Sequence, residues 1–209
     1  MTLRLHLVRH GEVHNPAGVV YGTLPGFGLS DRGRAQAAAT ARYLLGFVRE
    51  RPCIVASPLD RAQQTAAVIC GLLAERVGDL SVSTDARLIE ARSFAEGLPR
   101  SFAPARYLRR LLVEQRPPTD SPSEVLDRMV QAARGACGVH EDLILVSHQF
   151  PIWMARTGLE QTPEQRARAF VARRAPWIFV RERCSLGSVT TLRLDNPRPS
   201  TTTYWEPSV

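Results

Sequence analysis

Two histidines in this chain stand directly after runs of apolar residues. Leu3, Leu5, Leu7 and Val8 lead into Arg9, His10 and Gly11, and the run Leu143-Ile144-Leu145-Val146-Ser147 ends at His148. A third apolar segment, Cys53 to Ser57, is followed shortly by Arg61. Two imidazoles and two guanidinium groups gathered in one crevice would suit a phosphoryl group. Guanidinium forks bind its oxygens bidentately, and a neutral imidazole can attack phosphorus. Taken singly, each residue also has a plain structural reading: a histidine after a strand held by hydrogen bonds, an arginine at the exposed start of a helix. The repetition of one pattern at three strand ends calls for a common explanation.

The elements that must position these groups alternate. Leu3 to Val8 reads as a buried strand, and Asn15 to Leu29, dense in glycine and proline, as an ordered loop of unusual length. Ser30 caps a helix running to about Phe47, Cys53 to Ser57 is a second strand, and Asp60 to Val77 a helix with apolar residues three and four apart. A brief edge strand precedes Asp85, a helix is expected over 105–115, and Ser121, Pro122 and Glu124 form a capping box that opens a helix to about Ala136. Leu143 to Ser147 is the clearest strand. Helices over 151–157 and 164–171 follow, with late strands at 178–180, 188–194 and 202–205; the uneven alternation of Val189, Leu192 and Leu194 suggests a bulge. The order predicts an α/β protein, a three-layer α/β/α sandwich with a mixed, mainly parallel central sheet, as a single domain over 1–209. In such sheets functional groups gather beyond the carboxyl ends of the parallel strands, where the three pairs fall.

Composition narrows the chemistry. All 27 basic residues are arginine, so the formal charge of +7 comes without a lysine, excluding Schiff-base or phosphate-binding lysine mechanisms. The arginines are scattered, with no basic tail or nucleic-acid motif, so nucleic acid is not the expected partner. The four cysteines, Cys53, Cys70, Cys137 and Cys184, are too widely spaced for a redox pair or a zinc knuckle. The reading is a reduced cytoplasmic protein with no membrane span, no metal and no organic cofactor, its oligomeric state open.

The motifs Leu7-Val8-Arg9-His10-Gly11-Glu12 with Asn15, Ser57-Pro58-Leu59-Asp60-Arg61-Ala62-Gln63-Gln64-Thr65-Ala66, Arg87-Leu88-Ile89-Glu90 and Val146-Ser147-His148 occur in this order. Together they resemble the histidine phosphatase superfamily, the phosphoglycerate mutase-like family, over essentially the whole chain. The resemblance implies that His10 is the nucleophile and becomes a phosphohistidine, that Arg9, Arg61 and His148 hold the phosphoryl oxygens, and that Glu90 gives a proton to the leaving alcohol. Asn15, the Gly22-Thr23 loop and Gln149 are the further substrate-contact candidates, Gln149 standing where the family often has glycine. Ser57 and Ser147 are read as supports, Glu12 as a tuner of His10 or an arginine partner, His14 as solvent-exposed in preference to substrate-binding, and His6 as outward-facing or locally bonded.

The chemistry sets requirements of its own. His10 must be neutral, with a backbone acceptor fixing its tautomer, and Gly11 would let the chain turn closely. His148 would help most if protonated. For Glu90, burial raises the pKa while nearby arginines lower it. The short interval between Glu90 and His148 lacks the insertion typical of the family's mutases. The leading expectation is therefore a metal-independent phosphomonoesterase acting on a small or medium phosphate monoester through a phosphohistidine. The alternatives are phosphoglycerate mutase-type transfer, needing a bisphosphorylated primer, with Arg106, Arg109 and Arg110 as candidates for a second anion site, or a catalytically inactive anion-binding regulatory protein.

Overall fold

The computed structural model describes residues 3–93, 95–100, 120–136, 141–160, 183–195 and 198–209. The helices expected over 105–115 and 164–171, the strand at 178–180, and Arg106, Arg109 and Arg110 lie outside these residues. The elements are β1 (Leu3–Arg9), α1 (Asp31–Leu45), β2 (Cys53–Ala56), α2 (Asp60–Val77), β3 (Val82–Thr84), a single 3-10 turn (Ala86–Leu88), α3 (Pro122–Ala136), β4 (Asp142–Ser147), α4 (Gln149–Glu160), β5 (Val189–Asp195) and β6 (Arg198–Trp205).

The six strands form one sheet in the order β3-β2-β4-β1-β5-β6. The pairs β3–β2, β2–β4 and β4–β1 are parallel, while β1–β5 and β5–β6 are antiparallel, with a register shift between Arg193 and Leu194 at the expected bulge. Alternation along the strands sorts the side chains onto two faces. Val8, Ile54, Ile144 and Val146 pack with Ala41 and Leu44 of α1 and Ala62, Ile69 and Leu73 of α2. Leu5, Leu7, Leu143 and Leu145 pack on the other face with Met129 and Ala132 of α3 and Ile152 and Ala155 of α4. A sheet covered on both sides is the three-layer sandwich, and it explains why β4 is apolar at nearly every position.

The caps follow from side chains. Ser30 Oγ accepts from Gly33 N at 3.0 Å. At α3, Ser121 N donates to Glu124 Oε2 at 2.8 Å and Glu124 N to Ser121 Oγ at 3.3 Å, closing the capping box. At the sheet end away from the strand-end histidines, Arg4 holds Asp142 bidentately at 2.6 and 2.8 Å. His6 joins them, its Nε2 lying 3.1 Å from Asp142 Oδ1 and its Nδ1 2.9 Å from Thr191 Oγ1. His6 is fully buried rather than outward-facing, because a second helical layer covers the face on which it stands.

Candidate active site

Register alone brings the two strand-end histidines together. Arg9 in β1 pairs with Ser147 in parallel β4, so the next residues, His10 and His148, emerge side by side. His10 N donates to Ser147 O at 3.1 Å, and the ring centroids are 5.1 Å apart. Both rings are buried. Just beyond β2, Ser57 N donates to Val146 O at 2.9 Å, which sets Ser57 Oγ 2.8 Å from His148 Nε2. Ser147 Oγ in turn donates to Leu88 O at 2.7 Å, tying the end of β4 to the segment that carries Glu90.

His10 Nδ1 lies 2.8 Å from the carbonyl oxygen of Gly11. A carbonyl only accepts, so Nδ1 carries the proton and Nε2 keeps its lone pair. Burial, reinforced by Arg9 and Arg61, lowers the His10 pKa well below the usual imidazole value, and the neutral form predominates. His148 moves the same way, through burial and then the nearby His10, Arg61 and Arg9. Without substrate it is therefore neutral, not the protonated group that would help most.

Gly11 does not have the positive φ of an obligatory glycine turn. Its reason is proximity: a Cβ there would lie 2.3 Å from Gly33 O, and one at Gly33 would lie 2.0 Å from Glu12 O. The loop after His10 thus rests backbone to backbone on the first turn of α1. Gly11 N also donates to Thr65 Oγ1 at 3.1 Å and Glu12 N to Gln36 Oε1 at 2.8 Å. The Glu12 carboxylate accepts from Ser30 Oγ and faces Arg32.

Arg61 is the second residue of α2, yet it is only 1% exposed. A buried cation at the positive end of a helix dipole works against stability, so its retention has to be explained by what it faces. Its Nη2 donates to Gly22 O at 2.5 Å, and its guanidinium carbon stands 4.7 Å from the centre of the Tyr21 ring. Arg9 Nη1 donates to Cys184 O at 2.5 Å. Three buried nitrogens, Arg9 Nε, Arg61 Nε and His148 Nδ1, have no hydrogen-bond partner among the described residues. Buried polar nitrogens of this kind are costly unless a ligand satisfies them, and two belong to permanent cations.

Glu90 follows the 3-10 turn and accepts from Ala91 N at 2.8 Å through Oε1. The protein packed around its carboxyl raises the pKa, outweighing Arg9, Arg61 and Arg128, which pull it down. The site thus brings together Arg9, His10, Arg61, Glu90 and His148. The other candidates stand differently. Asn15 is occupied by its own loop, donating to Val19 O at 2.8 Å and accepting from Val19 N at 3.2 Å. Gly22 lends its carbonyl to Arg61. Thr23 donates through both N and Oγ1 to the Glu96 carboxylate at 2.9 Å. Gln149 is exposed at the start of α4, and His14 is also exposed.

A cavity of about 590 Å³ opens beside this group, lined by Thr23, Ile89, Arg92, Asp120, Glu124 and Arg128. Sequence reasoning did not single out Tyr21 or Arg128. Arg128 had a signal: it stands between Val125 and Ala132 on the row of α3 that faces inward.

Comparison with known proteins agrees with this geometry. The model of the histidine phosphatase superfamily (branch 1) matches residues 5–195. The chain belongs to that superfamily. Its site is a histidine-centred phosphatase site in which arginines supply the positive charge. Among the described residues, no group of three or more His, Cys, Asp or Glu could hold a metal ion. No helix among them is long and apolar enough to cross a membrane. The uncharacterized protein Rv0525 of Mycobacterium tuberculosis is 38% identical over 216 residues, spanning 98% of this chain and 96% of that one. The mycobacterial glucosyl-3-phosphoglycerate phosphatase Rv2419c, solved with VO3, is similar at 25% identity and a TM-score of 0.69, covering 99% of this chain and all of the other. A structure described as mycobacterial hydrolase 1 aligns over the full length of both chains at 27% identity and a TM-score of 0.68.

Proposed function

We propose that this phosphatase hydrolyses a small or medium phosphate monoester through a phosphohistidine on His10, acting as one domain over residues 1–209. In the first step the Nε2 lone pair attacks phosphorus and the bond to the leaving oxygen breaks. Glu90 delivers its proton to that oxygen, so an alcohol departs and a carboxylate remains. In the second step Glu90 takes a proton from water, the hydroxide attacks phosphorus, and the nitrogen–phosphorus bond breaks to restore neutral His10.

The observation that carries this reading is the set of unpartnered nitrogens of Arg9, Arg61 and His148 around a histidine whose tautomer leaves one lone pair available. Arg9 and Arg61 hold the phosphoryl oxygens and oppose charge in the transition state. If Ser57 donates its hydroxyl proton to His148 Nε2, the Nδ1 hydrogen is directed to the same anion. Thr23 and the Gly22 loop contact the phosphate once Glu96 gives way, Asn15 shapes that loop, and Gln149 borders the entrance. The leaving group occupies the cavity between Thr23 and Arg128, whose size and mixed lining of Ile89 with charged Arg92, Asp120 and Glu124 suit a small organic alcohol. The activity of the mycobacterial relative on glucosyl-3-phosphoglycerate supports the same ester class. A reduced, cytoplasmic setting is supported by the free thiols of Cys70 and Cys184.

A panel of phosphate monoesters tests the proposal, with the products identified as well as the phosphate. Free phosphate should appear from the wild type, and His10→Ala should abolish both turnover and the acid-labile phosphoenzyme. Phosphate moved to another position of the same molecule, or turnover surviving in His10→Ala, would overturn it.

A further inference from the structure

The backbone leading into Glu90 is held at three consecutive carbonyls. Arg128 Nη1 donates to Arg87 O at 2.6 Å and to Ile89 O at 2.5 Å. Between them, Leu88 O accepts from Ser147 Oγ at 2.7 Å. One clamp thus comes from α3 and the other from the residue preceding His148. Arg128 is a half-buried cation whose side chain is 18% exposed, and its only carboxylate within ion-pair distance among the described residues is Asp120, at 3.9 Å. Its closest bonds go to backbone oxygens, so its charge is not cancelled by tight ion pairing and acts on what lies near it.

We propose that Arg128 is the positioning residue for the proton donor: it fixes the carbonyls on the approach to Glu90 and presents a positive charge to its carboxyl. The proposal rests on the reading of Glu90 as general acid and base. The two contributions serve different steps. A fixed backbone keeps the carboxyl within reach of the leaving oxygen, where a displacement of about 1 Å can cost about a hundredfold in rate. The positive charge favours the carboxylate that must persist between departure of the alcohol and attack of water.

The groups facing Glu90 are Arg9 from β1, Arg61 from α2, Arg128 from α3, the Cys184 thiol before β5 and the N–H of its neighbour Ala91. Those facing Arg128 are Asp120, Glu90, Arg92 and His148. Arg9 and Arg61 also face His10, whereas Arg128 does not appear among the charges that lower the His10 pKa. Arg128 thus acts on the acid and on His148, but is set apart from the nucleophile.

The test compares Arg128→Gln, Arg128→Lys and Glu90→Gln on two esters across pH. p-Nitrophenyl phosphate releases a phenolate that needs little protonation, whereas glycerol phosphate releases an alkoxide that needs a proton. Arg128→Gln should lose at least about tenfold in kcat on glycerol phosphate and less than about threefold on p-nitrophenyl phosphate. Its alkaline limb should move to higher pH, because loss of a nearby positive charge lets Glu90 keep its proton longer. Arg128→Lys, which keeps the charge and loses the two-carbonyl clamp, should show the same ester dependence with the limb nearly in place, and it serves alone if Arg128→Gln does not fold. Equal losses on both esters in the Arg128 variants, with Glu90→Gln still selective for glycerol phosphate, would overturn the positioning role and leave Glu90 as the acid. A Glu90→Gln variant with no ester dependence would remove Glu90 as the proton donor and this inference with it.

Discussion

Replacing Gly33 by alanine tests whether the wall behind His10 is as tight as its backbone contacts indicate. Gly33 lies on α1 and contributes no side chain to the site, but a Cβ there would stand 2.0 Å from Glu12 O and 2.8 Å from Glu12 N. Real Cβ contacts do not fall below 3.0 Å, so the helix or the Glu12 peptide must move by about 1 Å. Glu12 is two residues from His10, and its N–H is already held by Gln36. Overpacking of this kind costs about 1–3 kcal/mol. A shift of that size reaching the nucleophile costs about a hundredfold in kcat. Gly33→Ala should therefore show both losses in urea unfolding and in phosphate release. Gly11→Ala, whose Cβ meets the same contact from the other side at 2.3 Å from Gly33 O, should behave similarly. Gly71 is the matched control: it lies within α2 with nothing within 4 Å of an added Cβ. Gly71→Ala should leave turnover unchanged and stabilise by about 0.5–1 kcal/mol, the helix-propensity difference. Wild-type stability and turnover in Gly33→Ala would refute the reasoning.

Two further predictions concern pH. Because burial, Arg9 and Arg61 lower the His10 pKa, the acid limb of kcat/KM should lie well below pH 6.5, the ordinary imidazole value. The alkaline limb should follow loss of the Glu90 proton and flatten in Glu90→Gln; an acid limb at or above pH 6.5 would contradict the neutral nucleophile. Asp142 is pushed up by burial, but hydrogen bonds from His6 and Arg4 bring its pKa below the usual carboxylate range. Its contribution to stability is thus present above the unfolded-state pKa of about 3.9 and is lost as pH falls through the depressed folded value. Asp142→Asn should cost about 3 kcal/mol at pH 7 in denaturant unfolding and remove that part of the acid sensitivity; a loss below about 0.5 kcal/mol would count against the network.

The sheet and the central groups of the site were legible because each depends on a local pattern. Apolar spacing marked α2 from Asp60 to Val77, and the capping box marked the start of α3, both at the bounds observed. The strand-end pairs Arg9-His10 and Ser147-His148 pointed to one crevice because parallel strands deliver their ends to one side. What was not legible depends on contacts between distant segments. His6 reads as outward-facing or locally bonded because a polar residue interrupts an apolar strand, whereas its partners Asp142 and Thr191 lie more than 130 positions away and make that position interior. Gly11 looks like a turn residue until Gly33, 22 positions later, is found against it. Neither the balance of burial and charge at Glu90 nor the neutrality of His148 follows from residue types, since both depend on how much water the folded site excludes.

The central place of β4 bears on how the enzyme is made. The strand enters between β2 and β1, and Arg4 meets Asp142 across 138 positions of chain. During synthesis β1 has neither of its neighbours until this late segment emerges, since its other partner, β5, comes later still. A nascent chain that already carries His10 and Arg61 therefore has no sheet to align them, and its unpaired apolar strands are open to misassociation. The two histidines come together in one late event, when insertion of β4 joins β2 to β1 and brings the second histidine to the first.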